Sequence, residues 1–166
     1  MKVRGKHYRS IWVKKGKTPI IQAVDQRYLP HRFVIEDLKT VKAVYTAIKD
    51  MHVRGAPLIG AAAAYGVYLA VRESQRARNF NDALVKASAL LESARPTAVN
   101  LEWAVRKQLK ALKAGKTPEE KAKIAFQTAN QIADDDVRTC QKIGHYGSLL
   151  IQEIAKLKRG DRKSVV

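Results

Sequence analysis

The chain has 166 residues, 46% of them hydrophobic, which is enough for a sizeable core and too many for a disordered chain. Lys and Arg number 32 against 15 Asp and Glu, a formal +17 that favours anionic partners: phosphorylated metabolites, nucleic acid or an acidic protein surface. Cys140 is the single cysteine, which excludes an internal disulfide and a cysteine-built zinc site.

No run of about 18 apolar residues is present to span a membrane. The basic start, Met1 to Lys6, lacks the apolar stretch of a secretory signal, so a cytoplasmic location is expected. Basic residues concentrate at 2–17, 72–78, 106–123 and 156–163 without forming a long tail. A solubilising surface accounts for them as well as a dedicated nucleic-acid site does, and no specific nucleic acid is expected.

The first forty residues read as short strands. Tyr8-Arg9-Ser10-Ile11-Trp12-Val13 and Pro19-Ile20-Ile21-Gln22-Ala23-Val24 are β-prone, and Lys14-Lys15-Gly16-Lys17 suits a hairpin loop. Arg32-Phe33-Val34-Ile35 is a third candidate. From Thr40 the period becomes helical: Val41, Val44, Tyr45, Ile48 and His52 share one face behind Thr40 as N-cap. A second helix is expected from Pro57 towards Arg78, and a third from Asn81 to Ala94 with Leu84, Ala87, Leu90, Leu91 and Ala94 on its apolar face. A fourth follows Thr97 and ends at Gly115; Thr117-Pro118-Glu119-Glu120 opens a long fifth, with an interruption expected at Gly144–Gly147.

The fold class is therefore α+β, predominantly α: a small amino-terminal antiparallel sheet followed by a bundle of about five helices. Residues 1–38 are assigned to the sheet and 39–160 to the bundle. Gly160-Asp161-Arg162-Lys163 reads as a turn, and Ser164-Val165-Val166 either as the start of a following strand or as a frayed tail.

Two segments can carry chemistry. His52-Val53-Arg54-Gly55-Ala56-Pro57 sets an arginine before two minimal side chains and a helix start, where free N–H groups and the helix dipole attract anions. Arg95-Pro96-Thr97-Ala98 repeats the arrangement, so a phosphate between the two would meet two guanidinium groups and two positive helix ends. An ordinary turn with a solvated arginine fits the spacing at either place.

Other features read more plainly. Ala61–Ala64 suits close helix packing. Gly144-His145-Tyr146-Gly147 matches a bare GxxG loop of RNA-binding KH domains but follows a long helix, against that reading. Asp134-Asp135-Asp136 points in different directions along a helix and is expected to be a solvated face, so no metal site is expected. Cys140 is read as incidental.

Several stretches together resemble the amino-terminal domain of methylthioribose-1-phosphate isomerases. They are Tyr8-Arg9-Ser10-Ile11-Trp12, Asp25-Gln26-Arg27-Tyr28-Leu29-Pro30, Val53-Arg54-Gly55-Ala56-Pro57-Leu58-Ile59-Gly60, Ala63-Ala64-Tyr65-Gly66, Arg95-Pro96-Thr97-Ala98-Val99-Asn100-Leu101 and Ile143-Gly144-His145-Tyr146-Gly147. The resemblance covers essentially the whole chain. It implies isomerisation of 5-methylthioribose 1-phosphate to 5-methylthioribulose 1-phosphate in methionine salvage, without a cofactor, with Arg54, Gly55, Ala56 and Arg95 on the substrate and its phosphate.

The family's catalytic cysteine, in a Thr-His-Cys-Asn-Ala-Gly segment, and a later aspartate belong to a Rossmann-like carboxy-terminal domain, of which residues 161–166 would be the first-strand stub. Cys140 matches that cysteine in neither context nor position. The expectation is no catalytic residue in these 166 residues, no activity alone, and a missing carboxy-terminal domain as partner, with a homodimer left open. Ribose-1,5-bisphosphate isomerase is the alternative within the enzymes. A non-catalytic regulatory subunit, related to those of the translation-initiation nucleotide exchange factor, is the alternative outside them.

Overall fold

The computed structural model describes residues 2–14, 16 and 19–157. The expected turn at 160–163, the stub at 164–166, and Lys15 and Lys17 of the expected hairpin loop lie outside the described residues. The chain divides into two compact units, Met1–Ala133 and Asp134–Val166.

The first unit opens with a two-stranded hairpin, β1 (Lys2–Val3) and β2 (Lys6–His7), which the sequence reading missed. A three-stranded antiparallel sheet follows in the order β3 (Ile11–Lys14), β4 (Ile20–Val24) and β5 (Ile35–Leu38). The third strand lies later than Arg32–Ile35 because its register is set by pairing: Val24 faces Ile35 and Ile21 faces Leu38. Its charged centre, Glu36-Asp37, hid it from a hydrophobicity pattern. On one face Trp12 Nε1 donates to Gln22 Oε1 at 3.1 Å and Gln22 Nε2 to Asp37 Oδ1 at 2.7 Å, a side-chain rung across all three strands.

Five helices follow: α1 (Val41–Lys49), α2 (Ala56–Ser74), α3 (Phe80–Ser93), α4 (Val99–Leu112) and α5 (Pro118–Leu157). This is the α+β, predominantly α fold expected. The central helix is α2, buried at every position from Leu58 to Val71 and packed on α1, α3 and α4. A helix apolar all round belongs in a core, and the small side chains of Ala61–Ala64 let its neighbours approach closely. The fully buried Gln108 of α4 donates from Nε2 to the carbonyls of Ala64 and Ala125, both at 2.9 Å, and so ties α2, α4 and the first turns of α5 together.

Four expectations need correction. His52 is not the last residue on the face of α1; the helix ends at Lys49 and His52 is buried beyond it. Leu90 of α3 is exposed although its apolar neighbours Leu84 and Leu91 are buried. Gly115 does not end α4 through a left-handed turn; its lack of a side chain leaves room for Lys121, whose backbone N would lie 3.0 Å from a Cβ there. Finally, α5 runs unbroken through Gly144 and Gly147. Two mid-helix glycines cost about 1 kcal/mol each, too little to break a long helix.

The second unit contains the later part of α5. Its Ile143, Tyr146, Leu149, Leu150, Ile151 and Ile154 are exposed. No helix among the described residues is long and apolar enough to cross a membrane.

Candidate functional site

Three helices begin with a side-chain cap. Thr40 accepts from Ala43 N at 3.1 Å at the start of α1. Asn79 accepts from Asn81 N and Asp82 N at α3, and Thr117 with Glu120 forms a reciprocal capping box at α5. The two starts singled out from sequence, α2 and α4, have no side-chain cap.

At α2 the N-cap is Gly55, with φ 91° and ψ 131°, a conformation in which a side chain is strained. Nothing lies within 4 Å of where a Cβ on Gly55 would sit, so the space before the helix is open. Ala56 is the first helical residue, Pro57 has no N–H to offer, and both are exposed, as is Arg54. At α4 the expected cap, Thr97, does not serve. The N-cap is Ala98, whose N–H is taken by the carbonyl of Arg95 at 2.9 Å, turning the chain one residue later than the sequence suggests. Arg95 is half-buried and lines a shallow depression of about 250 Å³ with Glu92, Ser93, Pro96, Ala98, Leu101 and Glu102. Glu102 is engaged with Arg106 one turn along.

The helices α2 and α4 meet near these starts. A Cβ on Gly60 would lie 3.0 Å from the carbonyl oxygen of Asn100, so the second turn of α2 rests directly on the first turn of α4. Further along, Ala64 is joined to Gln108. Both contacts advance in the same sense along both helices, so the two positive ends lie at one end of the pair. Gly55 and Ala56 thus share an end with Ala98. Arg54 flanks one start and Arg95 the other.

Beside the α2 start lies a polar cluster that sequence reading missed. Asp25, Glu36 and His52 bring ligand atoms within 4.8 Å of one another, a set able to hold a divalent cation by composition. The geometry argues for internal pairing instead. Arg27 grips both oxygens of the buried Asp25, Nε to Oδ1 at 3.0 Å and Nη2 to Oδ2 at 2.7 Å, and its guanidinium would repel a cation there. That same hydrogen bond holds the Asp25 carboxyl below the usual carboxylate range, outweighing the opposing effect of burial. His52 Nδ1 is 2.7 Å from Glu36 Oε2. The only sequence signal for this cluster was the Asp25-Gln26-Arg27 motif, noted there for resemblance and not for geometry.

Elsewhere, Cys140 is exposed, with Sγ 3.9 Å from Asp136 Oδ1, and His145 is turned to the Tyr146 ring rather than to the thiol. Asp135 is paired with Arg138.

Residues 52–158 match the model of the initiation factor 2 subunit family. The chain belongs to that family. The match opens at His52 and takes in both helix starts. Among curated relatives, methylthioribose-1-phosphate isomerase of Desulfatibacillum aliphaticivorans is 45% identical over 166 residues, all of this chain and 45% of that protein. The enzyme of the same name from Cereibacter sphaeroides is 44% identical over 161 residues, 96% of this chain and 42% of its own length. Two solved family structures superpose closely. Translation initiation factor eIF-2B subunit delta from A. fulgidus gives a TM-score of 0.78 at 37% identity, over 87% of this chain and 42% of that one. The 5-methylthioribose 1-phosphate isomerase of Pyrococcus horikoshii OT3 gives 0.76 at 39% identity, over 86% and 40%. The chain thus spans less than half the length of the relatives it matches.

Proposed function

We propose that this chain is the amino-terminal, phosphate-gripping part of an aldose–ketose isomerase that converts 5-methylthioribose 1-phosphate to 5-methylthioribulose 1-phosphate. The observation that carries the reading is the pair of uncapped helix starts at one end of α2 and α4, flanked by Arg54 and Arg95. Backbone N–H groups at such a start, left without side-chain acceptors, are suited to phosphate oxygens, and the guanidinium groups add charge-assisted bonds. Gly55 keeps the approach free of side chain, and Ala56 keeps it shallow. The names of the relatives supply the sugar phosphate.

The 166 residues on their own grip and do not turn over. The family resemblance implies that the reacting cysteine and aspartate lie in the other half of such enzymes, and Cys140 sits on an exposed face of α5 with Asp136 beside its thiol. Their partner is a carboxy-terminal domain of the kind the isomerases carry, and the exposed apolar residues of the second unit are compatible with that. A cytoplasmic location and a homodimer belong to the same reading.

Calorimetric titration with methylthioribose 1-phosphate tests it. Saturable binding by the wild type, lost in Arg54→Ala and weakened in Arg95→Ala, is the expected result; indifference to both changes sinks the site. Turnover by the purified 166 residues would overturn the assignment of chemistry elsewhere. A second reading, a non-catalytic regulatory subunit, is favoured by the likeness to the eIF-2B delta structure. Binding of a nucleotide or sugar phosphate at the same arginines, with no isomerisation after the chain is joined to the other half of an isomerase, selects it. Ribose 1,5-bisphosphate in the same joined assay distinguishes the remaining enzyme alternative.

A further inference from the structure

The polar cluster next to α2 has no part in the proposed grip, yet it is laced to the loop that carries Arg54 and Gly55. Gln26 is the junction. Its backbone N donates to the carbonyl of His52 at 2.8 Å, and its carbonyl accepts from Arg54 Nη2 at 3.0 Å. Gln26 is in turn held by its neighbours. Asp25 caps the short 3-10 turn Gln26–Tyr28 by accepting from Arg27 N at 3.1 Å, its carboxylate is clamped by the Arg27 side chain, and its own N–H donates to Val34 at 3.0 Å.

On the loop side, His52 is 7% exposed and its Nδ1 meets Glu36 Oε2 of β5. An ionised carboxylate only accepts, so Nδ1 carries the proton and donates. The segment 52–54 is therefore fixed at both ends: His52 to β5 by its ring and to Gln26 by its carbonyl, Arg54 to Gln26 by one guanidinium nitrogen.

We infer that His52 and Glu36, acting with the Gln26 backbone, are positioning residues that present Arg54 and Gly55 to the anion. This rests on the proposed function for what is gripped, but the positioning itself is a property of the free protein. An arginine bonded through Nη2 keeps its remaining donors for a ligand, and being held in advance it loses less side-chain freedom on binding. Val53 is buried and its N–H donates to the Ala47 carbonyl at 3.1 Å, which holds the backbone one residue on. Without the His52 ring, however, the Arg54 side chain keeps only its bond to Gln26, and Gly55, with no side chain, offers nothing in compensation.

The test uses nitrogen relaxation on the Gly55 amide and the Arg54 guanidinium in the free chain, with inorganic phosphate titrations beside it. His52→Ala and, independently, Glu36→Ala should loosen both signals and weaken phosphate binding about tenfold, the scale on which supporting partners of a binding group act. His52→Asn, whose amide nitrogen reproduces the Nδ1 donor, should restore both. In an Arg54→Ala background His52→Ala should add little to the loss of binding, because the residue it positions is gone. Wild-type relaxation in both alanine variants, or an equal loss of binding with and without Arg54, overturns the inference. If the wild type binds no phosphate, the proposed function fails, and relaxation alone decides the positioning by the same two outcomes.

Discussion

The starts of α1, α3 and α5 and the starts of α2 and α4 solve the same problem differently. Each helix begins with N–H groups that have no partner within the helix. Thr40, Asn79 and the Thr117–Glu120 pair supply acceptors for three of them. Gly55 and Ala98 supply none for the other two, though an N-cap acceptor is worth about 1 kcal/mol. The two starts that forgo this stabilisation are those flanked by Arg54 and Arg95, and Gly60 brings them side by side on Asn100. In the proposed reading, local stability is given up where a phosphate takes the place of the cap.

That contrast can be broken by moving a cap. Ala98→Asp gives α4 its own carboxylate acceptor, and it should raise thermal stability by about 0.5–1 kcal/mol while weakening phosphate binding at least tenfold, since the new charge competes for the same N–H groups. This is the largest effect expected, with opposite signs in stability and affinity. Thermal melts and calorimetry on one sample check both.

The reverse change is Thr40→Ala. It should cost about 1 kcal/mol of stability and leave phosphate affinity unchanged, because the start of α1 takes no part in the site. A loss on the order of 1–3 kcal/mol is expected for Gly55→Ala, from backbone strain alone: nothing lies near the new Cβ, but φ 91° with ψ 131° is a conformation open almost only to glycine. Denaturant unfolding of both variants measures these.

The smallest effect is the pH dependence from Asp25. Its carboxyl is held below the usual range by the hydrogen bond from Arg27, so it contributes stability that is complete above the ordinary carboxylate range. That contribution is lost as pH falls through the ordinary range and on through the lowered folded-state value. Asp25→Asn should flatten this part of the stability profile between neutral and acid pH while leaving a general acid loss from other carboxylates.

What was legible in the sequence was local. The caps at Thr40 and Thr117 and the helical periods after them are set by residues three or four apart, and they were found. Arg54-Gly55-Ala56 was also legible as a helix start, because glycine and proline mark it.

Contacts between distant segments were not legible. His52 fits the spacing of α1, but its burial comes from Glu36 sixteen residues earlier in β5 and from Gln26. The strand bearing Glu36 was itself displaced in the reading, since cross-strand pairing rather than hydrophobicity fixes its register. Thr97 has the composition of a cap, yet the turn closed by Arg95 and Ala98 shifts the helix by one residue. Such a shift depends on backbone geometry that cap preferences do not encode.

The most direct test of the account is a phosphate titration followed by amide chemical shifts. The account predicts saturable shifts at Ala56, Leu58, Val99 and Asn100 with a single affinity, and none at Ala43, Asn81, Asp82 or Glu120, whose N–H groups are already capped. Equal shifts at capped and uncapped starts, or none at either, would contradict it.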